Sequence, residues 1–266
     1  MLTKVEYPSS FARVNSATPT LGLLTGAAIG APGGEAPTDP HGSTLRLAGG
    51  GYRAALFHLG ALTRLNELGL LSQVDTVGAV GGGSILAALL AARVPWPLHG
   101  PFPAWREAVA TPMREIAGSG PIGRAADSTA EERYARELAA SMGAPLPERP
   151  RFVFGAAGLA LGEMAVEEEA DTRDGLSWHI GDTVGWPGYD AALVEDVIAA
   201  VRTDLDVFDE GEQAVLENHG YLLADAALRE RGLAPANPPT PPFPKWMDEA
   251  RVRVALAASS RRTRRT

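Results

Sequence analysis

The chain has no cysteine among its 266 residues, so it holds no disulfide and no thiolate metal site. A disulfide-stapled scaffold is thereby excluded, and a reducing compartment fits. An excess of positive charge is also missing. Lys and Arg number 24 against 32 Asp and Glu, the net charge is −8 and the pI is about 5.2, which argues against a nucleic-acid partner. The apolar stretch Leu21 to Pro32 falls short of the ~20 residues that cross a bilayer. Lys4 and Arg13 precede it in the manner of a poor signal peptide. Glu6 and the long lead argue against one, and the expected location is the cytoplasm. No internal repeat is visible.

What is present is enough apolar residue, 45%, to bury the core of one ordinary domain with small appendages. The 30 glycines and 21 prolines predict many turns. The informative stretch runs from Leu45 to Ala92. Ser43 to Ala48 reads as a short strand closed by Gly49, Gly50 and Gly51. Ala55, Leu59, Leu62 and Asn66 then recur at spacings of three and four, which predicts a helix from about Arg53 to Leu68, buried on one side. Gly69 stands where a C-cap glycine belongs. Val74 to Val80 reads as a second strand, Gly81, Gly82 and Gly83 as a turn, and Ser84 to Ala92 as a helix. That alternation predicts a parallel α/β sheet.

Both glycine clusters stand where a strand hands over to a helix. Helix N-termini there present unpaired N–H groups and partial positive charge, and glycine lets backbone approach a ligand. Two such turns side by side can form one anion-stabilising site at the C-terminal edge of the sheet. The plain alternative is a pair of tight turns. Among functional uses, Gly49-x-Gly51-x-x-Ala54 matches a dinucleotide fingerprint, but the second strand ends in Val80 with Asp75 at its beginning, so the acidic ribose ligand is missing. A phosphate-binding P-loop needs a lysine that neither cluster has. Acyl transfer needs an oxyanion loop and a nucleophile elbow.

The acyl-transfer use carries a resemblance. Gly49, Gly50, Gly51 and Arg53 match the Gly-Gly-Gly-x-Arg loop of patatin-like lipid acyl hydrolases, and the flanking GGGYRAALFHLGALTRLNELGLL and SILAALL also resemble that family. The resemblance implies that amides of this loop form an oxyanion hole, with Arg53 as loop support. It implies an elbow like S-V-S-G-G-S, which reads here Ala79-Val80-Gly81-Gly82-Gly83-Ser84, so the nucleophile position holds Gly81 and the serine is absent. Ser84 lies in the first helical turn, where a serine bonds to backbone. The family's second catalytic residue is an aspartate in Asp-Gly-Gly or Asp-Gly-Ala. The only Asp-Gly here is Asp174-Gly175, in EEEADTRDGLS, which reads as a solvated surface turn. The Ala-Ser-x-x-x-Pro segment that precedes that aspartate has no match. The implied fold is a three-layer, largely parallel sheet flanked by helices, with late strands missing on the shortened reading, and a helical C-terminal part.

Three segments follow from these readings: an irregular N-terminal arm, 1–42; a shortened patatin-like domain with C-terminal helices, 43–233; and a Pro-rich linker, short helix and basic tail, 234–266. Pro95 to Pro103 reads either as a rigid connector or as part of a substrate-facing lid. Ala130 to Met142 reads as a charged helix, and Arg151 to Ala157 as a third strand. Ala191 to Leu205 has a one-sided apolar pattern, and Asp209 with Glu212 fits a capping box for a helix through Leu228. The run RTDLDVFDEGEQAVLENHGYLLADAAL resembles the helical end of a bacterial patatin-like subgroup. Asp204, Asp206 and Asp209 lack an EF-hand glycine and glutamate in register, so capping is preferred and no metal is expected. His58 and His219 fall on predicted helices as packed or surface residues. Lys245 to Ala258 reads as a last helix carrying Trp246. Arg261, Arg262, Arg264 and Arg265 form a basic tail, either free or touching an anionic membrane peripherally.

By resemblance the expected function is hydrolysis of phospholipid or other lipid esters, impaired or lost because position 81 lacks a nucleophile. The expected partner is a lipid or acyl ester, and no cofactor is expected. The alternatives are a non-catalytic lipid-binding protein and a decayed or truncated family member.

Overall fold

A computed structural model describes residues 20–25, 43–93, 96–97, 99–119, 150–155, 176–185, 187–203, 205–257 and 259. Five strands form one sheet: β1 (Thr20–Thr25), β2 (Ser43–Leu47), β3 (Thr76–Val80), β4 (Arg151–Gly155) and β5 (Leu176–His179), in the order β4-β3-β2-β1-β5. β2, β3 and β4 pair in parallel, as the repeated strand–helix pattern predicts. β1 is antiparallel to both β2 and β5. The arm expected to be irregular therefore contributes an inner strand. Its pairing depends on partners about 25 and 155 residues away in sequence (Leu21 faces Leu47 and Trp178), so no local signal announces it.

Thr44, Leu45, Arg46 and Leu47 are all buried. Successive side chains of a strand point to opposite faces, so both faces of β2 are covered. The α/β fold expected from the sequence is observed, with the largely parallel sheet parallel over β2, β3 and β4 and antiparallel at β1 and β5.

α1 (Gly51–Glu67) follows β2, and α2 (Gly82–Arg93) follows β3. A π-helical turn, Arg106–Ala110, leads into α3 (Thr111–Ser119). One turn, α4 (Ala191–Leu193), is capped by the Asp190 carboxylate on Ala192 N (2.9 Å) and continues as a π-helical turn, Val194–Ile198. This helix stops short of the expected Leu205. α5 (Glu210–Glu230) starts at the expected capping box, with Asp209 accepting from Glu212 N and Glu212 from Asp209 N. The last expected helix divides into a 3-10 segment, Pro244–Met247, holding Trp246, and α6 (Glu249–Leu256).

α1 is buried nearly all round rather than on one side, Arg53, His58 and Arg64 included. It is wedged against α2 and α5, and its crossing with α5 is unusually close. A Cβ at Gly60 would lie 1.9 Å from the Glu217 carbonyl oxygen, and one at Gly220 2.0 Å from that of Phe57. Ion pairs tie the surroundings. Arg114 grips buried Glu217 through Nε and Nη2 (2.7 and 2.6 Å), and Arg64 reaches Asp225 (2.9 Å). Burial still pushes the Glu217 carboxyl upward.

The described part of the stretch 95–103 packs on α1 and on itself. Phe102 N donates to Asn66 Oδ1 (2.7 Å), the Trp105 indole to Thr63 Oγ1 (3.0 Å), and Phe102 stacks edge-on against Trp96. Asn66 and Thr63 are at the far end of α1, about 20 Å from its glycine start at 1.5 Å per residue. Asp75 likewise serves the opposite edge of the sheet, accepting from Ser43 N (2.9 Å). The expected helix 130–142, Asp174, Asp204 and the tail from Arg261 lie outside the described residues.

Candidate functional site

The two glycine turns interlock. Gly50 (φ 133°) and Gly51 (φ 59°) turn the chain from β2 into α1, and Gly81 (φ 51°) turns it from β3 into α2. All three conformations lie where a side chain is disfavoured. A Cβ at Gly82 would sit 2.0 Å from the Gly51 carbonyl oxygen, and one at Gly83 2.5 Å from that of Leu47. Any larger residue at 82 or 83 would separate the two turns. The glycine run of the elbow is therefore required for the turns to lie backbone to backbone.

Gly81 stands at the tip of the second turn. A Cβ there would point at the first turn, 3.1 Å from Gly49 Cα and 3.8 Å from Gly50 N. Positions 49, 50, 51 and 81 are part-exposed, whereas the helix turns behind them are buried. The first turn of α1 has no side-chain cap and no acidic residue. Among the described residues, no acceptor takes the amides of Gly50 and Gly51. Donors of this kind carry partial positive charge toward whatever occupies the mouth. Ser84 is in a different place. It is 2% exposed within α2, and its backbone amide donates to Gly81 O (2.9 Å).

Arg53 is buried, and its Nη1 donates to Ala199 O (2.7 Å) and Val201 O (2.9 Å). Burial holds its pKa down to about 10, so the group remains a cation at neutral pH. It thus fastens the segment after α4 to the first turn of α1. Carbonyls at the end of a helical segment have no intrahelical donor, and Arg53 supplies one. His58 supports the loop from within, its Nε2 meeting Ala48 O at 3.0 Å, one residue before the glycines. Sequence reasoning gave His58 no role; a histidine inside an apolar helix was the only signal available. His219 makes the same kind of bond to Ile180 O (2.8 Å), packed against Phe57 and Tyr189.

Burial holds both histidines down to about 4 from 6.5, so both are neutral at pH 7 and donate from Nε2. The unfolded chain takes up these protons first as pH falls. Stability should therefore drop between about pH 6.5 and 4, by on the order of 3 kcal/mol for each histidine. Glu217, raised by burial, acts in the opposite direction as it protonates. Urea melts at pH 7 and pH 4.5 should show the loss. A His58→Gln variant, whose amide can still serve Ala48, should show a smaller one; an unchanged pH slope would contradict the assignment.

Among the described residues no group of His, Asp and Glu could hold a metal ion, and no helix is long and apolar enough to cross a membrane. The candidate for the catalytic aspartate that the resemblance implies, Asp174, lies outside the described residues.

No curated protein and no solved structure matches the chain. One family model does, described as Patatin-like phospholipase, over residues 45–181. Its match begins in β2, takes in both glycine turns and ends just past β5. Because it covers more than half of the sequence, the chain belongs to the patatin-like phospholipase family, a family of lipid acyl hydrolases.

Proposed function

We propose that this protein retains the ester-binding half of a patatin-type site and lacks the nucleophile, so that it hydrolyses lipid esters poorly or not at all. The observation that carries this reading is the direction of the missing side chain at 81, which would face Gly49 and Gly50. In the family's chemistry a serine oxygen attacks the ester carbonyl, an aspartate takes its proton and the glycine-loop amides hold the oxyanion. The amides of Gly50 and Gly51 are available for the last task. Glycine 81 has no oxygen for the first. Removing such a nucleophile costs about a millionfold in kcat.

Turnover of short-chain and phospholipid esters by the unaltered chain should stay at background. Activity well above background that survives Gly50→Val, a change the φ of 133° at that residue does not accommodate, would overturn the reading. A second reading, a non-catalytic binder of an acyl chain or head group, is favoured by the same unengaged amides. Saturable titration with fatty acids or lysophospholipids supports it, and its absence leaves a decayed family member.

A further inference from the structure

Arg202 directly follows one of the two carbonyls that Arg53 grips, and it is buried. Its guanidinium pairs with the fully buried Glu212 carboxylate, with Nη2 at 3.3 Å from Oε2. It also donates to Val207 O and to Ser259 Oγ (2.7 Å), and it lies 4.2 Å over the Phe208 ring. Taking a guanidinium out of water is costly; here a carboxylate, two further acceptors and an aromatic face offset that cost.

Both ends of the segment around Arg202 touch the first turn of α1. At one end Val201 O accepts from Arg53 (2.9 Å). At the other the Phe208 ring meets Tyr52 edge-on, with centroids 6.1 Å apart. Tyr52 and Arg53 are the two residues immediately after Gly51, and the first turn of α1 has no side-chain cap of its own, so these contacts hold it from outside. Arg202 spans the segment, being bonded to Val201 through the chain and stacked on Phe208. Glu212, in the first turn of α5, fixes Arg202 to the helix that crosses α1. Phe208 is held in turn by its own backbone, which donates to Ala117 O (2.8 Å) and accepts from Gln213 Nε2 (2.8 Å).

We propose that Arg202 is a positioning residue for the glycine loop. Paired with Glu212, it keeps Val201 and Phe208 closed against Arg53 and Tyr52, and so holds the Gly50 and Gly51 amides in place. It acts only through these neighbours. That the alignment serves acyl transfer rests on the reading of the loop as an ester site; the bracing itself does not. Donors aimed at a developing oxyanion lose effect steeply when they are displaced, so a brace outside the turns controls the rate without touching the reacting atoms.

Removing Arg202 alone would strand the Glu212 charge in the interior, which is strongly destabilising. The test therefore uses Arg202→Met together with Glu212→Gln, which leaves no charge of the pair behind and lets the glutamine still accept from Asp209 N. Leu228→Ala, a cavity at the far end of α5, is the control for lost stability alone. Amide hydrogen exchange over 50–57 of the full chain should be on the order of tenfold faster in the double variant and no faster in Leu228→Ala. In chains that also carry Gly81→Ser, the double variant should lower the limiting rate of fluorophosphonate reaction roughly tenfold or more at an unchanged half-saturating concentration. Leu228→Ala should leave that rate as it is. Unchanged exchange over 50–57, the same acceleration in Leu228→Ala, or faster exchange with an undiminished reaction rate would overturn the proposal. No reaction of Gly81→Ser in any of these chains would count against the ester-site reading instead, and the exchange rates would then decide the bracing by themselves.

Discussion

Gly60→Ala should cost the protein at least about 3 kcal/mol, lowering its melting temperature by roughly 10 °C, and Gly220→Ala should do the same. In an ordinary helix interior this exchange stabilises by about 0.5–1 kcal/mol, so the expected sign is reversed. The reason is the obstacle. An alanine methyl at 60 would meet the Glu217 carbonyl oxygen at 1.9 Å and its Cα at 2.9 Å, and one at 220 would meet the Phe57 carbonyl oxygen at 2.0 Å. Neither obstacle is a side chain that can swing aside. Both are backbone of the opposite helix, so α1 and α5 would have to part. Separation would disturb the Arg64–Asp225 contact and the fully buried Leu62, Leu216 and Ala224 together. Gly181→Ala is the control, since a Cβ there meets nothing within 4 Å, and it should change stability by no more than about 0.5 kcal/mol. Thermal melts of the three variants decide it. Equal stability of all three would mean that the helices do not cross at these glycines.

The largest expected functional effect belongs to Gly81→Ser. At φ 51° a serine costs about 1 kcal/mol in backbone conformation. Its Cβ, 3.1 Å from Gly49 Cα, also needs that loop to move by a few tenths of an ångström. The variant should therefore fold with a modest loss of stability. Its hydroxyl would stand beside the Gly50 amide, in the mouth between the two turns. Reaction with a fluorophosphonate should rise by on the order of a hundredfold or more, a small share of the roughly millionfold that a serine nucleophile is worth in an intact site. Adding Gly50→Val to the same chain should abolish the gain, because the amide facing the reacting oxygen would be displaced.

What could be read in the sequence divides by range. The glycine clusters, the strands before them and the helices after them were legible, because turn chemistry and periodicity are local. The capping box of Asp209 and Glu212 was legible for the same reason. The inner strand β1 was not, since its neighbours come from two distant parts of the chain. The need for glycine at 60 and 220 was equally hidden; each looks like a weak point in its own helix until the other helix is placed against it. Arg53 could be assigned to loop support by resemblance, but its acceptors, Ala199 O and Val201 O, are about 150 residues away and are backbone atoms that any sequence would supply. Position 81 shows both sides of this. The resemblance aligned position 81 with the family's serine, and the direction in which a side chain there would point came only from the packed turns.

That direction is the centre of the account, and mapping a fluorophosphonate adduct by mass spectrometry tests it most directly. The unaltered chain and Gly81→Ser are each treated with the probe, digested and compared. The account predicts no adduct on the unaltered chain and an adduct on the introduced serine of the variant. An adduct on Ser84 or any other serine of the unaltered chain, or none on a folded Gly81→Ser protein, would contradict it.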